Sequence, residues 1–466
     1  MLANPGSQFM AALNTPLPPP SYGDQVSILS IDGGGIRGII PATVLIHLDN
    51  VLKAKDPTTS LAHYFDVISG TSTGGLMALM LAAPNSSHSK HPLFTPSQVV
   101  QFYKTYGSEI FKPQRQFMAA LNTPLPPPSY GDQVSILSID GGGIRGIIPA
   151  TVLIHLDNVL KAKDPTTSLA HYFDVISGTS TGGLMALMLA APNSSHSKHP
   201  LFTPSQVVQF YKTYGSEIFK PQRPGNGPQF DGEFLHNITR QLLKDTRLSQ
   251  TLTNVVIPAF DLKRQKPVIF SNYKLEDAPY LNALLSDICI STSAAPTQLP
   301  PHYFVNDGVE FNMVDGGVAA GNPTQATISE VLQHSEYPKI LVLSLGTGTE
   351  KYVENPDFDA RLAANWTILN WAFVANDMLG RASSAITEYY LASLFSGFQP
   401  PQSTYLRIDE HDLNHDFSNS VNVTKENLEG LEKTGQQLLQ EKVVKMNLDT
   451  FNLEEFGETN AEALDR

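Results

Sequence analysis

Short, mostly apolar runs of strand length alternate along this chain with longer segments whose apolar residues recur at helical spacing. Val134 to Asp140 reads as a buried strand, followed by a helix from Ala150 to Lys161. Tyr172 to Ser177 reads as a second strand. It turns through Gly178 to Gly183 into an apolar helix from Leu184 to Ala191. Further strands are expected at Asn254 to Phe260, Lys266 to Ser271 and Lys339 to Leu345. Helices are expected at Thr327 to His334, at Leu362 to Tyr390 as one or two segments, and at Lys425 to Val443. Strands alternating with helices imply an α/β fold with a mostly parallel central sheet. Chemistry in such sheets gathers at the carboxyl ends of the strands.

Part of this pattern occurs twice. Gln8 to Arg115 recurs without a single change as Gln116 to Arg223, 108 residues further on. Asp32 thus matches Asp140, Arg37 matches Arg145, and Ser72 matches Ser180. Solenoid repeats run roughly 20–50 residues and diverge, so this is not one. Perfect identity points to a very recent duplication or to an error in the assembled gene. Everything from Pro224 on occurs once, so two identical segments compete for one set of partners. The second is joined directly to those partners and has the smaller loop-closure cost. Residues 1–115 are therefore expected to form a surplus, partial lobe with unpartnered apolar faces, and 116–466 a complete domain. A swap, with the first copy docked and the second displaced, is the alternative. Pro124 and Pro126 to Pro128 read as an extended linker.

Three motifs carry candidate chemistry. Gly178-x-Ser180-x-Gly182 lies at a strand-to-helix turn, where a serine hydroxyl can stand clear of the backbone at a helix N-terminus. A capping serine in a glycine-rich turn would look similar. Asp140-Gly141-Gly142-Gly143-Ile144-Arg145-Gly146 lies at another such turn. Consecutive glycines there let amides point into one space that favours negative charge, an oxyanion or a phosphate. The stretch also matches GxGxxG, so a nucleotide-binding protein is an alternative. A dinucleotide fold, however, wants an acidic residue ending the next strand, and that strand runs into Ser180 instead. Val314-Asp315-Gly316-Gly317 supplies a carboxylate that could take the serine proton, or a plain turn. A Ser-Asp-His order could use His334, His411 or His415, none of which lies in a marked loop.

Composition narrows the classes. The chain has 466 residues, 41% hydrophobic and 16% charged, which fits a globular protein with a sizeable core. Its formal net charge of -13 argues against a nucleic-acid partner, which needs a basic face. The single cysteine, Cys289, excludes an intrachain disulfide and fits a reducing compartment. Met1 to Pro20 is polar and proline-rich, without the pattern of a signal peptide. No apolar run approaches about 20 residues, so no membrane-spanning helix is read. A cytoplasmic location is the resulting expectation.

With these motifs in this order, the chain resembles the patatin-like family of plant lipid acyl hydrolases from about Val134 to Leu453. The likeness extends to Ile288 to Thr297, Leu299 to Phe304, Leu343 to Thr349 and Thr424 to Leu428. The resemblance implies a three-layer α/β/α fold and a Ser–Asp dyad rather than a triad. By motif position, Ser180 is the nucleophile and Asp315 the proton acceptor, with Ser72 the duplicate nucleophile of the first copy. Gly141, Gly142 and Gly143 would line the oxyanion hole, with Arg145 supporting that loop. The implied activity is hydrolysis of fatty acyl esters of membrane phospholipids and galactolipids, at the membrane periphery, without metal or cofactor. Many relatives carry a secretory signal and serve as storage proteins. An inactive storage-type protein is therefore a third reading, and the lack of a signal here favours the enzyme.

Overall fold

The computed structural model describes residues 26–57, 59–71, 73–84, 92–110, 133–194, 197–222, 227–334, 339–351, 359–397 and 403–466. The chain divides into two compact units, Met1–Ala119 and Ala120–Arg466.

The first unit contains β1 (Ile28–Ile31), α1 (Ile39–Lys55), β2 (Val67–Gly70), α2 (Thr73–Ala82) and α3 (Pro96–Ile110). The two strands pair in parallel, Ile28 opposite Val67 and Ile31 opposite Gly70. A small core forms from Ile31, Leu45, Met77, Leu81, Val99 and Tyr103. Ser72 lies outside the described residues.

The second unit begins with β3 (Gln133–Ile139), α4 (Ile147–Lys163), β4 (Val175–Gly178), α5 (Thr181–Ala190), α6 (Pro204–Ile218) and α7 (Glu233–Leu243). Then come β5 (Asn254–Asp261), β6 (Lys266–Ser271), α8 (Leu285–Ser293), β7 (His302–Asn306), β8 (Val309–Asp315), α9 (Thr324–His334) and β9 (Lys339–Leu345). The rest is α10 (Ile368–Gly397), β10 (Thr404–Ile408), α11 (Lys425–Leu438), β11 (Lys442–Met446) and β12 (Leu453–Thr459). The main sheet has the order β10-β9-β3-β4-β5-β8-β7, with β6 also paired to β5. From β10 to β5 all pairs are parallel, whereas β6, β7 and β8 join antiparallel.

Successive strand residues point to opposite faces, and here both faces are covered. Leu137, Ile139, Ile176, Ile257, Leu343 and Leu345 pack on one side with α4, α5, α6 and α11. Val134, Ile136, Val175, Val256, Ile340 and Val342 pack on the other with Ile328 and Val331 of α9 and Leu391 of α10. The result is the three-layer α/β/α arrangement with a mostly parallel sheet. By length and composition one helical stretch, Gly143–Lys163, is apolar enough to cross a membrane, but most of it is buried in this core.

The two copies share a sequence and differ in burial. Ile136 is 0% exposed and its twin Ile28 62%; Leu187 is 0% exposed and its twin Leu79 68%. In the second unit β3 is flanked by β9 and β4, and β4 by β5. In the first, among the described residues, β1 and β2 pair only with each other. The elements that would cover those faces occur once in the chain, after Pro224.

Some boundaries differ from the sequence reading. Tyr172 belongs to a helical turn, Leu169–Tyr172, and β4 starts at Val175. Ser168 caps that turn, its amide donating to His171 Nδ1 at 3.1 Å. The Leu362 to Tyr390 segment is two helices, one of the two forms expected, and the second, α10, runs on to Gly397; the Thr367 hydroxyl caps it by accepting from the Asn370 amide at 3.3 Å. The helix from Lys425 ends at Leu438, and β-branched Val443 and Val444 pair instead with β12.

Candidate active site

Ser180 sits between β4 and α5 with φ 54 and ψ -123, a backbone conformation a non-glycine residue adopts only when its surroundings force it. Its neighbours show why the spacing needs glycine. A Cβ on Gly178 would lie 2.1 Å from the Gly182 carbonyl oxygen, and one on Gly182 would lie 2.2 Å from that of Ile139. The turn therefore passes close to the end of β3 and lifts Ser180 at the carboxyl edge of the sheet.

Asp315 ends β8, the strand that pairs antiparallel with β5. Its amide donates to the Ala294 carbonyl at 2.9 Å, which fixes the residue against the segment after α8. The side chain is 4% exposed. The Gly317 amide donates to Asp315 Oδ1 at 2.6 Å, and the Ser180 hydroxyl lies near enough to the Asp315 carboxyl to favour its charged form. Burial pushes that carboxyl up to about 6, against the opposing pull of the Ser180 hydroxyl and the Gly317 amide. A group of that strength is ionised at neutral pH and still basic enough to take a proton from a hydroxyl.

Thr292, at the end of α8, joins the two. Its hydroxyl accepts from the Ser180 amide at 3.0 Å and donates to the Pro258 carbonyl at 2.6 Å. Its carbonyl accepts from the Gly316 amide at 3.2 Å. The Thr179 hydroxyl adds a further tie, donating to the Ala320 carbonyl at 2.6 Å. The sequence reading placed Thr292 only in a family-like segment and gave it no role.

The glycine loop abuts the serine: a Cβ on Gly141 would lie 3.3 Å from that of Ser180. Gly141 departs from the expectation of an oxyanion donor, because its amide donates to the Gly321 carbonyl at 3.0 Å. Among the described residues the amides of Gly142 and Gly143 have no such acceptor. They open the turn Gly143–Gly146 that leads into α4, a position of positive helix potential. Gly143 has φ 59, and a Cβ there would strike the Ser420 carbonyl oxygen at 2.2 Å. Arg145 supports the loop from behind, its Nη1 donating to the Gly348 carbonyl at 2.9 Å and its Nε to that of Gly142 at 3.4 Å.

No histidine considered for a triad joins this group. His334 Nδ1 bonds the Glu330 carbonyl at 2.8 Å, and exposed His415 pairs with Glu350 at 2.6 Å. Among the described residues His411 Nε2 has no hydrogen-bond partner. Elsewhere, His302 pairs with Asp287 at 2.9 Å.

An α/β/α sandwich with a serine on a strained strand-to-helix turn, a buried carboxyl near it and a glycine loop beside it has the parts of a serine hydrolase. The patatin-like phospholipase family model matches residues 29–107 and 137–328, so it recognises both copies of the repeat. The chain is 42% identical over 383 residues to patatin-like protein 2 of Arabidopsis thaliana, covering 74% of this chain and 93% of that one. It is 41% identical over 361 residues to patatin-like protein 2 of Oryza sativa, covering 69% and 88%. It is 40% identical over 341 residues to patatin-17 of Solanum cardiophyllum, covering 69% and 87%. The chain belongs to the patatin-like phospholipase family, and thereby to the lipid hydrolases.

Proposed function

We propose that the chain is a lipid acyl hydrolase that cleaves fatty acyl esters of phospholipids and galactolipids through an acyl-enzyme on Ser180. The observation that carries this reading is the buried Asp315 carboxyl beside the Ser180 hydroxyl at the strained turn. Asp315 accepts the Ser180 proton as the serine oxygen attacks the acyl carbonyl. The amides of Gly142 and Gly143 stabilise the resulting oxyanion. When the tetrahedral intermediate collapses, the ester C–O bond breaks and Asp315 passes the proton to the departing alkoxide. Water then attacks the acyl-enzyme, giving its proton to Asp315, which returns it to Ser180 as the fatty acid leaves. The cycle needs no metal. A water-insoluble substrate also requires contact with a lipid surface, which fits a cytoplasmic protein acting at the membrane periphery.

The test is hydrolysis of phosphatidylcholine and monogalactosyldiacylglycerol in mixed micelles by wild type, Ser180→Ala and Asp315→Asn. Fatty acid release by wild type and its loss in both variants supports the reading. Release that survives in Ser180→Ala at the wild-type rate overturns the assignment of the nucleophile.

A further inference from the structure

Behind the glycine loop, one guanidinium is connected to both ends of it. Arg407 of β10 is buried, and its Nη2 donates to Asp140 Oδ2 and to Asp409 Oδ2, each at 2.7 Å. Its Nη1 donates to Ser344 Oγ at 2.9 Å. Asp140 is the residue immediately before Gly141, so this contact fixes the start of the loop. The other arm runs through Asp409, whose Oδ1 accepts from the Gly348 amide at 2.9 Å. The Gly348 carbonyl in turn accepts from Arg145, and Arg145 reaches the Gly142 carbonyl. Thr347, between Gly346 and Gly348, donates its hydroxyl to the Gly141 carbonyl at 2.7 Å.

The surroundings are built for this arrangement. A Cβ on Gly346 would lie 1.9 Å from Asp409 Cγ, so a glycine there is what lets the carboxylate approach. Glu388 of α10, half-buried, also faces Arg407, at 3.5 Å, so two buried carboxylates and a third at their edge share one cation. Such a set is a poor device for stability, because well-packed apolar residues often stabilise a core as much or more. What a guanidinium supplies is a rigid planar fork, with Nη2 on both carboxylates and Nη1 on Ser344, a spacing of donors that a lysine's single nitrogen cannot reproduce.

We propose that Arg407 is a positioning residue for the oxyanion hole: through Asp140 and Asp409 it fixes where the Gly142 and Gly143 amides point, without touching substrate. The proposal rests on the reading of that loop as the oxyanion hole. Amide donors act on the tetrahedral intermediate only when they are already aimed at it. Loosening the loop therefore lowers kcat and leaves ground-state binding alone.

The experiment compares wild type, Arg407→Lys and Asp409→Asn for phospholipid hydrolysis, thermal unfolding, and inhibition by a trifluoromethyl ketone lipid analogue, whose adduct carries an oxyanion. Kinetic rates are expressed per serine labelled by a fluorophosphonate. In folded Arg407→Lys, kcat per labelled serine is expected to fall about tenfold or more with KM within about twofold, and inhibitor affinity to fall in parallel. Asp409→Asn, which keeps the shape of the side chain, is expected to show a smaller fall of the same kind. A lowered Tm with kcat per labelled serine unchanged, or a loss confined to KM, overturns the proposal. So does failure of both variants to fold, since Arg407 would then be a structural residue. If only Arg407→Lys fails to fold, Asp409→Asn decides. Wild type with neither labelling nor hydrolysis would instead sink the proposed function.

Discussion

The Thr292 hydroxyl accepts from the Ser180 amide at 3.0 Å, while the Thr292 carbonyl accepts from the amide that follows Asp315. One residue thus spaces nucleophile and base. Thr292→Val keeps the shape and removes both hydroxyl bonds. It leaves the Ser180 amide and the Pro258 carbonyl unpaired in a buried setting, at a cost of about 1–3 kcal/mol. Thermal unfolding checks that loss. The kcat for ester hydrolysis is expected to fall by about tenfold as the turn relaxes. Wild-type kinetics in Thr292→Val would show that the hydroxyl does not position Ser180.

Asp315 must be ionised to accept the serine proton, and burial holds its carboxyl at about 6. The kcat/KM is therefore expected to rise with pH through about 6 and level off above it. A midpoint near 4, the ordinary carboxylate range, would contradict this account of the base.

The same shift has a consequence for stability. The folded-state value, about 6, lies above the ordinary 3.8. Between those values the folded chain holds a proton that the unfolded chain has released. Stability is thus lost as pH rises from about 4 to about 6, and the loss persists above that range. Asp315→Asn removes the charge and can still accept from Gly317. It is expected to be inactive yet more stable than wild type at pH 8, by an amount of order 2–3 kcal/mol, and not at pH 3.5. Denaturant unfolding at the two pH values checks it. An equal effect at both would mean that desolvation of Asp315 does not weigh on the fold.

Deletion of residues 8–115 removes a lobe whose exposed apolar residues, such as Ile28 and Leu79, lack the partners their twins have. The shortened chain is expected to keep wild-type kcat/KM and to bind less of a hydrophobic dye such as ANS. Loss of activity on deletion would mean that the first copy contributes to the working domain.

Much of this was legible in the sequence where a short stretch decides the outcome. β6 and β9 fall at the residues expected, because apolar runs between turn residues admit little else. The turn at Ser180 was legible because its glycines are forced by contacts within a few residues of it or with the adjacent strand. The hairpin of β7 and β8 was not, since Tyr303 and Val305 face outward and blur the apolar pattern that would mark it. Nor was the occupancy of the Gly141 amide, taken by Gly321. Thr292 bonds Ser180 across 112 residues, and Arg407 bonds Asp140 across 267. No local pattern marks contacts of that range; only the packed sheet brings them together. Identity between the copies hid a further difference, because burial depends on β5, β9 and α11, which exist once.

The serine and the glycine loop occur twice, and Asp315 once, so at most one complete site is available to the chain. Intact-mass measurement after fluorophosphonate treatment reads the number of reactive serines directly. One adduct is expected on wild type and on Ser72→Ala, and none on Ser180→Ala. Two adducts on wild type, or an adduct that persists on Ser180→Ala and vanishes on Ser72→Ala, would contradict the assignment of the site to the second copy.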